Sequence, residues 1–94
     1  MEDDRLLAIH EEIVQVLLQQ DASYARPMPS WELARLLNVA PSYVREQVGV
    51  LRRHRLVSVR RGRGGGYYLS PANRQRHHAR MRRSAPGTTT GPAN

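Results

Sequence analysis

The chain has 94 residues with fifteen Arg, no Lys and no Cys, and its formal net charge is +7. That length fits one small domain, which buries about 60–65% of its unfolded surface in a single modest core. The lack of Cys excludes disulfides, thiolate metal sites, Cys-ligated iron–sulfur clusters and a Cys nucleophile.

The N-terminal run predicts a helix over residues 4–20, with Asp3 or Asp4 as its cap. Leu6, Ile9, Ile13 and Leu17, together with Leu7, Val14 and Leu18, recur every three to four residues and form one apolar stripe. The stripe is wide enough to pack on its own domain and leave apolar surface for a partner. Residues 22–29 follow as a connector. Pro27 and Pro29 oppose helix and favour an extended segment, with Met28 pointing inward between them.

Ser30 is suited to cap a short helix, Trp31 to Leu37, whose Leu33, Ala34 and Leu37 face the core. Trp31 and Met28 are expected in the core. Asn38 tolerates the left-handed conformation and suits the end of that helix, with Val39 anchoring the turn. Pro41 then opens a helix running to His54, because proline is pre-set for a first helical position. Its buried face is Val44, Val48 and Leu51. At 100° per residue the opposite face carries Ser42, Glu46, Gly49 and Arg53, flanked by Tyr43 and Arg45.

Residues 56–70 read LVSVRRGRGGGYYLS. Two β-prone runs, 56–61 and 67–70, flank a loop of Gly and Arg only, the pattern of a β-hairpin with a cationic tip. Alternation sets Val57 and Val59 on one face and Ser58 and Arg60 on the other. It also separates Tyr67 and Leu69 from Tyr68, so that one tyrosine is expected in the core and the other at a phosphate. From Pro71 to Arg83 the chain is rich in Arg and His with no apolar stripe, consistent with a frayed helix or a solvated arm. Residues 84–94 have the composition of a disordered segment. A structured domain over 1–70 and a basic, then disordered, tail over 71–94 are expected.

Two short helices followed by a basic hairpin predict a mainly α fold with a small β-hairpin (α+β), a winged helix-turn-helix. In that arrangement the second helix enters the major groove, and the hairpin touches the flanking backbone or minor groove. The charge distribution agrees. Residues 1–46 hold four Arg and all eight acids, whereas residues 47–94 hold eleven Arg and no acid. A polyanion-facing half is implied, and Arg suits it because its planar fork makes bidentate hydrogen bonds to phosphate and guanine. Replacement of Lys by Arg in a GC-rich genome explains the missing Lys but not the segregation of the acids.

The DNA-facing candidates are Ser30, Ser42, Tyr43, Arg45, Glu46 and Arg53 from the helical part, and Arg60, Arg61, Gly62, Arg63 and Tyr68 from the wing at 60–68. Arg45 can take guanine N7 and O6, while Glu46 can accept from cytosine N4 or orient Arg45. Gly62 and Gly64–Gly66 let backbone approach phosphates, and a tip Arg suits the negative potential of a narrow minor groove. The competing reading of the helix is an ordinary solvated amphipathic face. The hairpin directly behind it favours the functional one.

Catalytic motifs are lacking. His10-Glu11-Glu12-Ile13-Val14 begins like a zinc-protease motif but has no second His. His77 and His78 are adjacent and point apart on a helix. There is no glycine-rich phosphate loop with Lys and no G-x-S-x-G. No enzyme activity, cofactor or metal is expected. No apolar run nears the ~18 residues of a membrane span, and the acidic start is unlike a signal peptide, so a cytoplasmic, nucleoid-associated protein with no membrane partner is expected. The primary expectation is a sequence-specific double-stranded DNA-binding regulator of transcription, such as a repressor, acting as a homodimer. The alternatives are a winged-helix adaptor that binds a protein partner such as RNA polymerase, and an RNA-binding protein.

Residues 27–69 resemble the DNA-binding part of IscR-like winged-helix regulators. The likeness rests on P-M-P at 27–29, Ser42-Tyr43, L-R-R at 51–53 and, above all, L-V-S-V-R-R-G-R-G-G-G-Y-Y-L at 56–69. It implies a transcription regulator, often a homodimer on palindromic DNA. Ser42, Tyr43 and Arg45 match the family's recognition-helix contacts, and Arg61 matches its minor-groove Arg. The cysteines of the cluster-sensing members are absent, a Pro/Gly/Arg tail stands where a long dimerisation helix is expected, and Arg55 stands where the family usually has Gly. A second resemblance, to the DNA-binding head of GntR-type regulators, rests on P-S-x-E-L-A-x-x-L-x-V at 29–39 and Y-V-R-E at 43–46. It implies the same activity and also sets Arg45 at the DNA.

Overall fold

The computed structural model describes residues 6–84, with side chains through His77. The element order is α1 (Ala8–Gln19), α2 (Ser30–Leu37), α3 (Pro41–Arg53), β1 (Ser58–Arg60), β2 (Gly66–Tyr68) and α4 (Pro71–Ser84). This is the expected α+β winged helix-turn-helix, with one helix more than the sequence reading required.

The three N-terminal helices close on one aliphatic core. Ile13, Val14 and Leu17 come from α1, Leu33 and Ala34 from α2, and Val44, Val48 and Leu51 from α3. Val57, Leu69 and Met28 seal the side facing the hairpin. Met28 is buried, as its place between two prolines predicts. Trp31 is not: it is 61% exposed. The core-facing stripe of α2 runs through Leu33, Ala34 and Leu37, and Trp31 lies about 110° around the helix from the centre of that stripe.

The helix starts differ from their expected positions. α1 begins at Ala8, with Leu7 as the extended residue before it; Asp3 and Asp4, the expected caps, lie outside the described residues. The backbone N–H of Leu7 donates to Nδ1 of His10 at 2.7 Å, so His10 closes this helix start from the third helical position. In α2 the residue before the helix is Pro29, and Ser30 is the first helical residue and makes no cap hydrogen bond. The fixed φ of Pro29 supplies the extended turn that a capping side chain would otherwise stabilise.

The ends of α1, α2 and α3 share one device. Asp21, Asn38 and Arg55 take positive φ values of 57°, 59° and 60°. In each case the left-handed residue and its successor donate back into the last turn. Ala22 N–H reaches Leu17 O at 2.9 Å, Val39 N–H reaches Ala34 O at 3.0 Å and Leu56 N–H reaches Leu51 O at 2.9 Å. These are Schellman closures, each followed by an apolar residue turned toward the core. Asn38 announces itself by residue type and Arg55 only through the Gly usual there in the resembling family, since none of the three positions is glycine.

The hairpin is antiparallel, pairing Ser58 with Tyr68, Val59 with Tyr67 and Arg60 with Gly66. Its strands are shorter than the β-prone runs that predict them. The P-M-P connector adds a third edge, because Met28 N–H donates to Tyr67 O at 2.9 Å and Tyr67 N–H to Met28 O at 2.7 Å. Gly66 permits this approach: a Cβ there would collide with the backbone carbonyl of Met28. Its role is internal packing rather than access to DNA.

The segment after the hairpin is helical, the first of the two forms expected for it, rather than a solvated arm. Ser70 Oγ accepts from Asn73 N–H at 3.1 Å, and Pro71 follows as first helical residue. Arg74 fastens α4 to the α1–α2 turn, donating to Asp21 Oδ1 at 2.7 Å and to Ala22 O at 2.9 Å. His77 is buried, with Nε2 3.3 Å from Gln15 Oε1 of α1.

Candidate nucleic-acid interface

With Val44, Val48 and Leu51 buried, the rest of α3 faces outward. Ser42, Tyr43, Arg45, Glu46 and Arg53 are all exposed, and Gly49 is half-buried. The outward face read from the 100° period is therefore the observed one. Pro41 stands at the first turn of α3, whose first turn carries no acid, and Arg52 and Arg53 occupy its last turn, where positive charge suits the helix dipole. Ser30 is half-buried at the start of α2.

At the wing, Arg61, Gly62 and Arg63 are exposed at the tip. Gly62, at φ +96° with nothing within 4 Å of a hypothetical Cβ, supplies the turn there. Arg60 behaves differently from its neighbours. Its Nη1 donates to Tyr24 O at 2.8 Å and to Ala25 O at 3.4 Å, and its guanidinium lies 5.3 Å from the centre of the Tyr24 ring. Tyr24 in turn meets Tyr68 edge-on, with ring centres 5.7 Å apart and planes at 84°. Tyr67 and Tyr68 are both half-buried against the core, so neither is wholly the core tyrosine or wholly the surface one.

Helix α3 is fastened from behind. His10 is 2% exposed, and its Nε2 lies 2.7 Å from Oε1 of Gln47 on α3. Because Nδ1 accepts from Leu7 N–H, Nε2 carries the proton and donates to Gln47. Both ring nitrogens are thus committed, which gives the His-Glu-Glu run a structural role. Gln47 is the residue sequence reasoning passed over: it lies beside Glu46 yet points inward.

A protein-family model covers these helices and the wing. The model described as "Iron-dependent Transcriptional regulator", Rrf2, matches residues 11–77. The chain belongs to the Rrf2 family. Among solved structures, this Rrf2 chain is similar to CymR (YrzC), the global cysteine regulator of B. subtilis, with a TM-score of 0.54 and 22% identity. The match covers 69% of this chain and 51% of CymR, so the likeness concerns the fold of about half of that regulator. No curated protein matches the chain.

The family description implies iron, and the residues present do not fit it. The sequence has no Cys. Among the described residues no group of three His, Cys, Asp or Glu side chains comes together. Both nitrogens of His10 are engaged, and His77 Nε2 faces Gln15. Among the described residues, no helix is long and apolar enough to cross a membrane.

Proposed function

We propose that this chain reads double-stranded DNA in a sequence-specific way and regulates transcription as a homodimer in the cytoplasm, at the nucleoid, without catalysis. The observation that carries the reading is the pairing of two exposed cationic elements on one rigid frame. Arg45 stands on the outer face of α3 while the opposite face is buried, and Arg61 and Arg63 stand at the tip of the hairpin that follows. α3 is the element for the major groove, with Ser42, Tyr43, Arg45 and Glu46 near base edges and Arg53 toward the backbone. Arg61 is the residue for the minor groove, with Arg63 on phosphate. A homodimer sets two such heads about one helical turn apart, ~34–36 Å, on a palindromic site.

Selection of duplexes from a random pool tests this. A defined, palindromic site is the expected outcome. Arg45→Ala should then relax preference at one base pair by about 1–3 kcal/mol, and Arg61→Ala should lower the salt slope of binding by about one unit. No enrichment, or an enriched duplex on which Arg45→Ala and Arg61→Ala are both silent, would sink the proposal; preferential binding of RNA or of RNA polymerase would favour the other readings.

A further inference from the structure

We propose that Arg60 and Tyr24 form a clamp that sets the direction of the wing, making Arg60 a positioning residue for DNA binding rather than a phosphate ligand. The inference rests on the DNA-reading function proposed above and assigns a role to the 22–29 connector, which that function does not use.

Each strand of the hairpin has three residues, and so short a ribbon does not hold its own orientation in water. It needs bracing from outside. One brace is the Met28–Tyr67 pair, which grips β2. The other is Tyr24, which grips both strands. Its ring lies under the Arg60 guanidinium of β1 and makes a T-shaped contact with the Tyr68 ring of β2. Arg60 adds hydrogen bonds to the carbonyls of Tyr24 and Ala25. The turn that carries Tyr24 is itself closed: Arg26 N–H donates to Ser23 O at 3.1 Å and to Ser23 Oγ at 3.2 Å, and Ser23 N–H donates to Arg26 O at 3.2 Å. Tyr24 remains 63% exposed, so burial alone does not explain an aromatic residue at this position. Arg60 is the last residue of β1, and Arg61 leaves the strand directly after it. Wherever the clamp holds Arg60, it also fixes the point from which Arg61 reaches out.

A phosphate ligand and a clamp differ in what their loss does. Losing a phosphate contact removes a released counterion and flattens the salt dependence. Losing the clamp loosens the wing and leaves the ion count unchanged. The test compares Arg60→Ala, Arg60→Lys, Tyr24→Leu and the Arg60→Ala/Tyr24→Leu double variant with Arg61→Ala. The probe is the duplex enriched from a random pool. The clamp predicts that Arg60→Ala and Tyr24→Leu each weaken binding about fivefold at unchanged salt slope, and that the double variant is no weaker than the worse single. Arg60→Lys, which keeps the charge, should not rescue. At saturating protein, hydroxyl-radical protection of the flanking minor groove should match the parent, because the loosened wing makes the same contacts once it is ordered on the duplex. Without DNA, backbone amides of residues 58–68 should exchange faster in both single variants. The clamp is overturned if Arg60→Ala flattens the salt slope as Arg61→Ala does, if Arg60→Lys restores binding, or if the wing amides exchange as in the parent. A parent chain that enriches no duplex overturns the DNA reading, and the exchange data then decide the clamp by themselves.

Discussion

Nε2 of His10 and Oε1 of Gln47 meet at 2.7 Å, joining the start of α1 to the middle of α3. The two residues are 37 positions apart, and no periodicity in the sequence links them. Through this contact the helix proposed to read DNA is held by a buried imidazole whose other nitrogen caps the helix behind it. The orientation of α3 therefore depends on polar satisfaction as well as on the packing of Val44, Val48 and Leu51.

Replacing His10 should be costly for its size. His10→Ala strands the Leu7 N–H and the inward Gln47 carbonyl, so a loss of about 1–3 kcal/mol is expected. For a domain of this length each 1 kcal/mol corresponds to roughly 4–8 °C in Tm. Gln47→Ala should cost less, and the double substitution should fall short of the sum. Calorimetry checks the set, and nitrogen NMR shifts of His10 should report the Nε2–H tautomer. An unchanged Tm in His10→Ala would refute the account.

The wing glycines should not be equivalent. Gly66→Ala drives a methyl group into the Met28 backbone and should break the Met28–Tyr67 pair. Gly62→Ala meets open space and bears only the strain of a positive φ, about 1–2 kcal/mol. Denaturant midpoints should therefore fall much further for Gly66→Ala. Equal shifts would mean that the third edge of the sheet contributes little.

Arg55 offers a route to higher stability. It holds φ +60° at the close of α3, a conformation that costs a non-glycine residue about 1–2 kcal/mol. Arg55→Gly relieves this, less roughly 0.5–1 kcal/mol for the greater freedom glycine loses on folding. A net gain of about 0.5–1 kcal/mol is expected in urea unfolding. A loss of stability would show that the exposed Arg55 side chain makes up the strain elsewhere.

Arg74 should govern whether α4 stays docked. Its ion pair with Asp21 is exposed on the carboxylate side and contributes little alone. Its bond to Ala22 O satisfies a carbonyl at a buried turn, and that part should dominate. Arg74→Ala should loosen α4, raising amide exchange over 71–77, while Asp21→Asn should have a small effect. Reversal of that order would place the weight on charge.

Much of the site can be read in the sequence because it is written in local periods. The stripe Val44, Val48, Leu51 fixes which side of α3 turns outward, and Gly-Arg between β-prone runs fixes the hairpin. Pro41 and Asn38 mark helix boundaries through their own backbone preferences. Other boundaries were hidden because their signals are not local. Ser30 has a capping side chain that Pro29 makes unnecessary, and Arg55 occupies a left-handed position with no glycine to mark it. Trp31 is apolar in type but lies off the stripe of α2.

The sequence by itself determined the element types as far as the hairpin and the buried and outward faces of α3, since each follows from residue preference and repeat period, and it carries the concentration of Arg in its second half. Only the tertiary structure decided which cations are available. Arg61 and Arg63 stand at the open tip, Arg60 lies on Tyr24, and Arg74 is tied to Asp21 and Ala22. It likewise decided that the basic stretch from Pro71 forms a helix, because Ser70 caps it and Gln15 and Asp21 on distant segments receive its side chains. A charged side chain carries the same formula in both settings; the partners within hydrogen-bonding distance determine whether it faces solvent or another part of its own chain.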